Sequence, residues 1–193
     1  MTPSILALRN RKVILGVSGS IAAYKSLEVL RLLIGEGAEV HVVMSTNAAR
    51  FITPLTFEAL SGNPVYHQVF DSNFSLSMEH IRVAESADLL LIAPATAGMI
   101  GKMANGIADD PLSNLFVSFC GPAIIAPAMN DGMYANPAVK ANIEKMKQRG
   151  VEFIEPVYGE LACGSVGQGR LAESGDLLQA VNRRLSVEND LSG

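Results

Sequence analysis

Residues 12–25 read KVILGVSGSIAAYK. KVILGV is an apolar, β-branched run, SGS is a tight polar turn, and from Ile21 to about Gly35 apolar residues recur at helical spacing. The segment is therefore predicted as strand, turn and helix. A GEG break leads to the next strand candidate, AEVHVVMS at 38–45, and the interval suits a helical crossover between parallel strands. The pattern then repeats. DLLLIAP from Asp88 reads as a strand, residues 97–119 as helix interrupted near Asp109 to Pro111, and PAIIAPA at 122–128 as a strand. A helix over about 136–149, VEFIEP from Val151 and a last helix over 175–185 follow.

Strands written as unbroken apolar runs are covered on both faces, as in doubly wound sheets. The expectation is a single α/β domain, Rossmann-like (flavodoxin-like), with a mainly parallel sheet. It should occupy 1–185. The polar residues 186–193 read as the start of a linker toward a further domain.

The chain has 193 residues, a length suited to one core, and is 49% hydrophobic and 18% charged. A net charge of -4 and pI near 5.4 argue against a nucleic-acid or anionic-membrane partner. No apolar run is long enough to span a bilayer, and the N-terminus lacks a signal peptide's order, so a cytoplasmic location is expected. There Cys120 and Cys163 should not be paired, and without a CxxC or a histidine cluster they suggest no metal site. Cys120, in LFVSFCGPAII, reads as a small buried hydrophobe. Cys163, in LACGSVGQGRLAE at 161–173, could be packing or could do chemistry.

In open parallel sheets ligands bind beyond the carboxyl ends of the strands. After the first strand, GVSGSIAAYK offers small residues and a helix N-terminus suited to phosphate; GxGxxG is absent, which favours a mononucleotide over a dinucleotide. Ser45, Thr46 and Phe51 follow the second strand, and Pro94, Ala95, Thr96 and Ala97 end the third. Together they form a rim of little bulk, fit for a flat heteroaromatic ring. Asn130 in PAMNDGMY, just beyond a buried strand, should bind something polar, because an unpartnered buried amide is costly. His80 stands ahead of the third strand and on its own reads as an ordinary surface or structural histidine; His41 and His67 do not stand out.

In order, GVSGSIAAYK, EHI, ADLLLIAPATA, PAMNDGMY and ACGSVGQGR resemble the flavin-dependent cysteine decarboxylases, over about residues 11–185. Within them the resemblance is to those of coenzyme A biosynthesis, which act on phosphopantothenoylcysteine. PAMNxxM and ACGxxGxGR are the specific elements. The resemblance implies FMN as cofactor, with Ser18, Gly19, Ser20, Ser45, Phe51 and Pro94 to Ala97 matching flavin-contacting positions. It implies His80 beside the flavin, Asn130 holding the substrate carboxylate with Met133 as a further substrate contact, and Cys163, on a glycine-hinged flap, as proton donor. It also implies a homotrimer or multiple of trimers, and a synthetase domain fused in the full-length protein. Ser20, Gly98 and Tyr134 depart from glycine, asparagine and tryptophan in some relatives.

The implied chemistry is redox-neutral. A cysteine carboxylate has no electron sink for loss of CO2; transient oxidation of the thiol to a thioaldehyde creates one, and the enethiol left after decarboxylation is then reduced. The rival readings are a peptide-modifying oxidative decarboxylase that stops at the enethiol, a prenyl-transferring flavoprotein, and a non-catalytic flavin-binding regulator.

Overall fold

The computed structural model describes residues 6–68, 83–162 and 164–190. Five strands, β1 (Lys12–Val17), β2 (Glu39–Met44), β3 (Leu89–Ala95), β4 (Ala123–Pro127) and β5 (Glu152–Phe153), form one parallel sheet in the order β2-β1-β3-β4-β5. Every residue of β3 and β4 is buried. This is the physical meaning of their uninterrupted apolar sequence, since both faces need partners.

The alternation along the strands divides two cores. Val13, Leu15 and Val17 of β1, with Leu89, Leu91 and Ala93 of β3, pack in one cluster; Ile14, Leu90 and Ile92 pack in the other. On the first face lie α1 (Lys25–Gly35), through Val29, Leu30 and Leu33, and α7 (Ser174–Asp190), through Leu177 and Val181. The second face is covered by α3 (Ala97–Ala104) and α4 (Pro111–Ser118), through Ile100, Met103, Leu112 and Leu115, and by Ile143 and Met146 of α6 (Pro137–Lys147). Residues 54–61 form α2 (Pro54–Ser61), with Pro54 opening the helix and Gly62 at φ 72 ending it.

Helix starts follow local side-chain chemistry. Thr96 caps α3 by accepting from Met99 N, Asn136 caps α6 by accepting from Ala138 N, and Asp110 and Ser113 form a reciprocal capping box on α4. Asp110 to Pro111 is thus the interruption foreseen within 97–119.

Four expectations need correction. The helix foreseen from Ile21 begins as a 3-10 turn, Ile21–Tyr24, before α1, because Ser20 caps a short turn through Ala22 N. The last helix runs to Asp190 and does not end near 185, so residues 186–190 continue the helix. Of VEFIEP only Glu152–Phe153 joins the sheet; the chain then enters an antiparallel hairpin, β6 (Val157–Glu160) with β7 (Val166–Arg170). Cys120 is exposed, not a core residue: α4 ends at Ser118 and β4 starts at Ala123, so the apolar run containing it spans a surface connection.

The sheet order reverses between β1 and β3, since β1 is followed by β2 on one side and β3 lies on the other. Such a switch point opens a crevice at the carboxyl ends of the two strands.

Truncating Leu91, fully buried in the central strand, should cost about 2–5 kcal/mol. Urea unfolding of Leu91→Ala should show a lowered midpoint at unchanged slope, while Leu60→Ala, at a position 41% exposed, should shift it little.

Candidate functional site

The crevice is built around Ser18. Its side chain is buried, and its hydroxyl donates to Pro94 O at 2.8 Å while accepting from Thr96 N at 2.9 Å. Ser18 N also donates to Pro94 O at 3.1 Å. One residue after β1 therefore fixes the carboxyl end of β3, whose Ala93–Pro94 bond is cis. From α1, Ser26 adds a buried bond to Ala93 O at 2.7 Å. Ser18 thus reaches the site as a joint between the two strand ends, with its hydroxyl engaged in both directions.

Gly19 lies against the loop after β2. A Cβ there would stand 2.6 Å from Asn47 Cβ and 2.9 Å from its carbonyl carbon, so only glycine permits the approach. That loop is itself held rigidly. Ser45 is buried, its N donates to Val17 O at 2.9 Å, and its hydroxyl accepts from Ala48 N at 3.1 Å, opening a 3-10 turn at Ala48–Arg50. Thr46 N donates to the buried Asp110 carboxylate at 3.0 Å, and Leu112 N binds its other oxygen at 3.0 Å. Asp110 consequently ties the end of β2 to α4.

Gly19, Asn47, Arg50 and the half-exposed Phe51 line a concavity of about 430 Å³. Arg50 supplies positive charge there. Ser20 and Thr96 keep hydroxyl protons to donate, because each oxygen accepts a backbone N–H. Ala95 is buried in β3, and Ala97 and the exposed Gly98 open α3, where a Cβ on Gly98 would meet nothing within 4 Å. These groups suit a phosphate beside a flat ring, so the donor set and open rim fit a flavin mononucleotide.

On the other side of the Gly19–Ser20 turn lies a cleft of about 440 Å³, lined by Ser20, Ile21, Lys25, Met129, Asn130 and Arg170 among others. Asn130 is exposed, not the buried amide expected just beyond β4, and its Oδ1 accepts from Gly132 N at 2.8 Å to cap α5 (Asp131–Ala135). This cap turns the carbonyl end inward and makes Nδ2 the end able to donate to a carboxylate. Met133 on the same turn is 48% exposed.

The hairpin's glycines have a packing cause. Met129 N donates to Gly169 O at 3.0 Å, and a Cβ on Gly169 would collide with Met129 O. On Gly167 it would stand 2.5 Å from Asp131 Cβ. Both glycines admit the Asn130 turn against β7, and Ser165 Oγ donates to Asp131 Oδ1 at 3.3 Å. They seat the hairpin on the Asn130 turn. Farther out, the Tyr134 hydroxyl binds Glu155, which also pairs with Lys147 at 3.1 Å. Burial, and then the Glu155 carboxylate, push the Tyr134 phenol well above its ordinary range; burial opposes the Glu155 charge, but Tyr134 and Lys147 hold its carboxyl below the usual range.

His80 and Cys163 lie outside the described residues. Ser18, Gly19, Ser20, Ser45, Phe51, Pro94 to Ala97, Asn130 and Met133 converge on the strand ends. Sequence reasoning missed Asn47, Arg50, Asp110, Lys25 and Arg170. Only DDPLS carried a usable signal, an aspartate ahead of proline with serine following.

Gly169→Ala should separate β7 from the Asn130 turn and destabilise by about 1–3 kcal/mol in thermal unfolding, as overpacking does. Gly98→Ala, facing open space in a helix, should leave the melting temperature unchanged or slightly raised.

The chain is 48% identical over 181 residues to the coenzyme A biosynthesis bifunctional protein CoaBC of Bacillus subtilis, a match covering 94% of this chain and 45% of that protein. It thus spans about half the length of the curated relatives it matches. Among solved structures, it is similar to a cysteine-to-serine mutant of PPC decarboxylase complexed with pantothenoylaminoethenethiol, at TM-score 0.80 and 30% identity, covering 93% of this chain and 100% of that one. The FMN-dependent cysteine decarboxylase SpaF aligns at TM-score 0.73 and 30% identity over 91% of this chain and 99% of its own. A family model, Flavoprotein, matches residues 2–186, and with a crevice whose donors suit a flavin phosphate the chain is placed: it belongs to the flavoprotein family.

Proposed function

We propose that the protein is an FMN-dependent phosphopantothenoylcysteine decarboxylase, forming phosphopantetheine in coenzyme A biosynthesis. The observation that carries this reading is the pair of concavities on either side of the Gly19–Ser20 turn, one bearing Arg50 and Phe51, the other bearing Asn130. A cofactor and a substrate can meet across that turn. The names of the similar proteins support the same assignment.

Gly19, Ser20, Ser45, Phe51 and the Pro94 to Ala97 turn would hold FMN, with Arg50 near its phosphate and Ser18 fixing the two turns relative to each other. FMN supplies the two-electron acceptor and donor that cysteine decarboxylation requires. Asn130 Nδ2 orients the substrate carboxylate, and Met133 offers an apolar surface beside it. His80 assists removal of the thiol proton, and the Cys163 thiol returns a proton to carbon at the end. The hairpin β6–β7, seated on the Asn130 turn, limits water at the reacting carbons. A trimer or multiple of trimers, and a synthetase domain fused in the full-length protein, belong to this reading. The exposed Ile21, Tyr24, Phe51 and Leu55 beside the site support the first.

Purified protein should show a bound-flavin absorbance spectrum, and anaerobic phosphopantothenoylcysteine should be converted with loss of CO2 to phosphopantetheine, followed by mass. Cys163→Ser should decarboxylate and stop at the enethiol with the flavin left reduced; His80→Asn should slow the first half by roughly a hundredfold to ten-thousandfold. Normal turnover by Cys163→Ser would remove Cys163 from the mechanism. Flavin binding without turnover would favour the regulator.

A further inference from the structure

The cleft beside Asn130 carries positive charge that decarboxylation does not use. Lys25, at the start of α1, and Arg170, at the end of β7, both line it. The Lys25 side chain is 16% exposed, and its ammonium stands 3.3 Å and 3.5 Å from the two oxygens of Glu173. Arg170 Nη2 lies 3.8 Å from the same carboxylate. One carboxylate therefore serves two cations, at distances longer than tight charge-assisted pairs adopt. Glu173 is itself 57% exposed, so water competes for it.

Arg170 also has a prepared place. A Cβ on Gly159, in the facing strand β6, would stand 2.8 Å from Arg170 Nη1 and 3.1 Å from Cδ. Glycine at 159 thus lets the guanidinium lie across the hairpin. The two cations come from a helix and a paired strand, elements that hold position better than loops do.

We infer that Lys25 and Arg170 seat the terminal phosphate monoester of the substrate, and that Glu173 is the counter-ion this phosphate displaces. The inference rests on the decarboxylase reading and adds the residues that recognise the substrate's far end. A phosphate monoester carries close to two negative charges near neutral pH and accepts through three oxygens, whereas Glu173 offers one charge. Exchange of carboxylate for phosphate improves the charge balance on both cations, and the planar guanidinium can bind two phosphate oxygens at once. Glu160, also on the lining, is exposed, so its repulsion is screened by salt. Asn130 takes the carboxylate and the cation pair the phosphate, giving the substrate one orientation in the cleft.

The test compares FMN-loaded wild type with Lys25→Met, Arg170→Met, Lys25→Arg and Glu173→Gln, each given phosphopantothenoylcysteine and its unphosphorylated counterpart. Wild type should prefer the phosphorylated substrate. The ratio of kcat/KM for the two should fall by roughly ten- to a hundredfold in Lys25→Met and Arg170→Met, through KM, as loss of a charge-assisted bond requires. Lys25→Arg should retain the preference and Glu173→Gln should enlarge it. The last variant removes no cation, so it tests the seat even where a methionine variant fails to fold. A preference the same in every variant, or no preference in wild type, would overturn the inference and leave decarboxylation standing. Turnover of neither substrate by wild type would overturn both.

Discussion

The hydroxyl of Ser18 is the joint on which the site depends. It is buried, it has one proton to give and lone pairs to accept with, and both capacities go to the carboxyl end of β3. An apolar residue there would leave Thr96 N without its acceptor, while Pro94 O would keep only the bond from Ser18 N, and loss of one buried partner costs about 1–3 kcal/mol. The tie fixes how far apart the strand ends stand at the switch point. Everything that lines the crevice hangs from those two ends: the Gly19–Ser20 turn from one, and Thr96, Ala97 and α3 from the other. Asp110 does for β2 what Ser18 does for β3, holding Thr46 N from the start of α4.

A second constraint is close backbone approach. Gly19 meets the Asn47 backbone, Gly169 meets the Met129 carbonyl and Gly167 meets Asp131. Small residues in a nucleotide-binding rim are usually explained by the ligand, but here three of them are required by the protein's own chain. The two roles are compatible. Segments drawn together this tightly leave their polar backbone groups and short side chains at the surface, and those groups face whatever enters.

Much of the fold was legible because it is periodic. KVILGV, DLLLIAP and PAIIAPA have compositions that only a sheet covered on both faces can bury, and the spacings between strands admit helical crossovers. Boundaries were less legible: α7 runs on to Asp190, and a capping serine makes a 3-10 turn of Ile21–Tyr24. Cys120 was misplaced because LFVSFCGPAII looks like one apolar run, although a helix end, a turn and a strand share it. Asn130 was singled out for burial it does not have; its place at the end of β4 still brought it to the cleft. Arg50 left no trace in the pattern, and Lys25 and Arg170 closed GVSGSIAAYK and ACGSVGQGR with no role attached to them. Their significance comes from pairings across the chain, such as Lys25 with Glu173, which no local spacing encodes.

The most direct measurement is amide hydrogen exchange with and without FMN, read segment by segment. Binding at the switch point should slow exchange at residues 18–22, 45–51 and 95–99, the three turns joined through Ser18 and Ser45, and leave the far side of the sheet at β5 and the middle of α6 unchanged. Protection absent from those turns, or centred on β5 and α6, would contradict a flavin site at the ends of β1, β2 and β3.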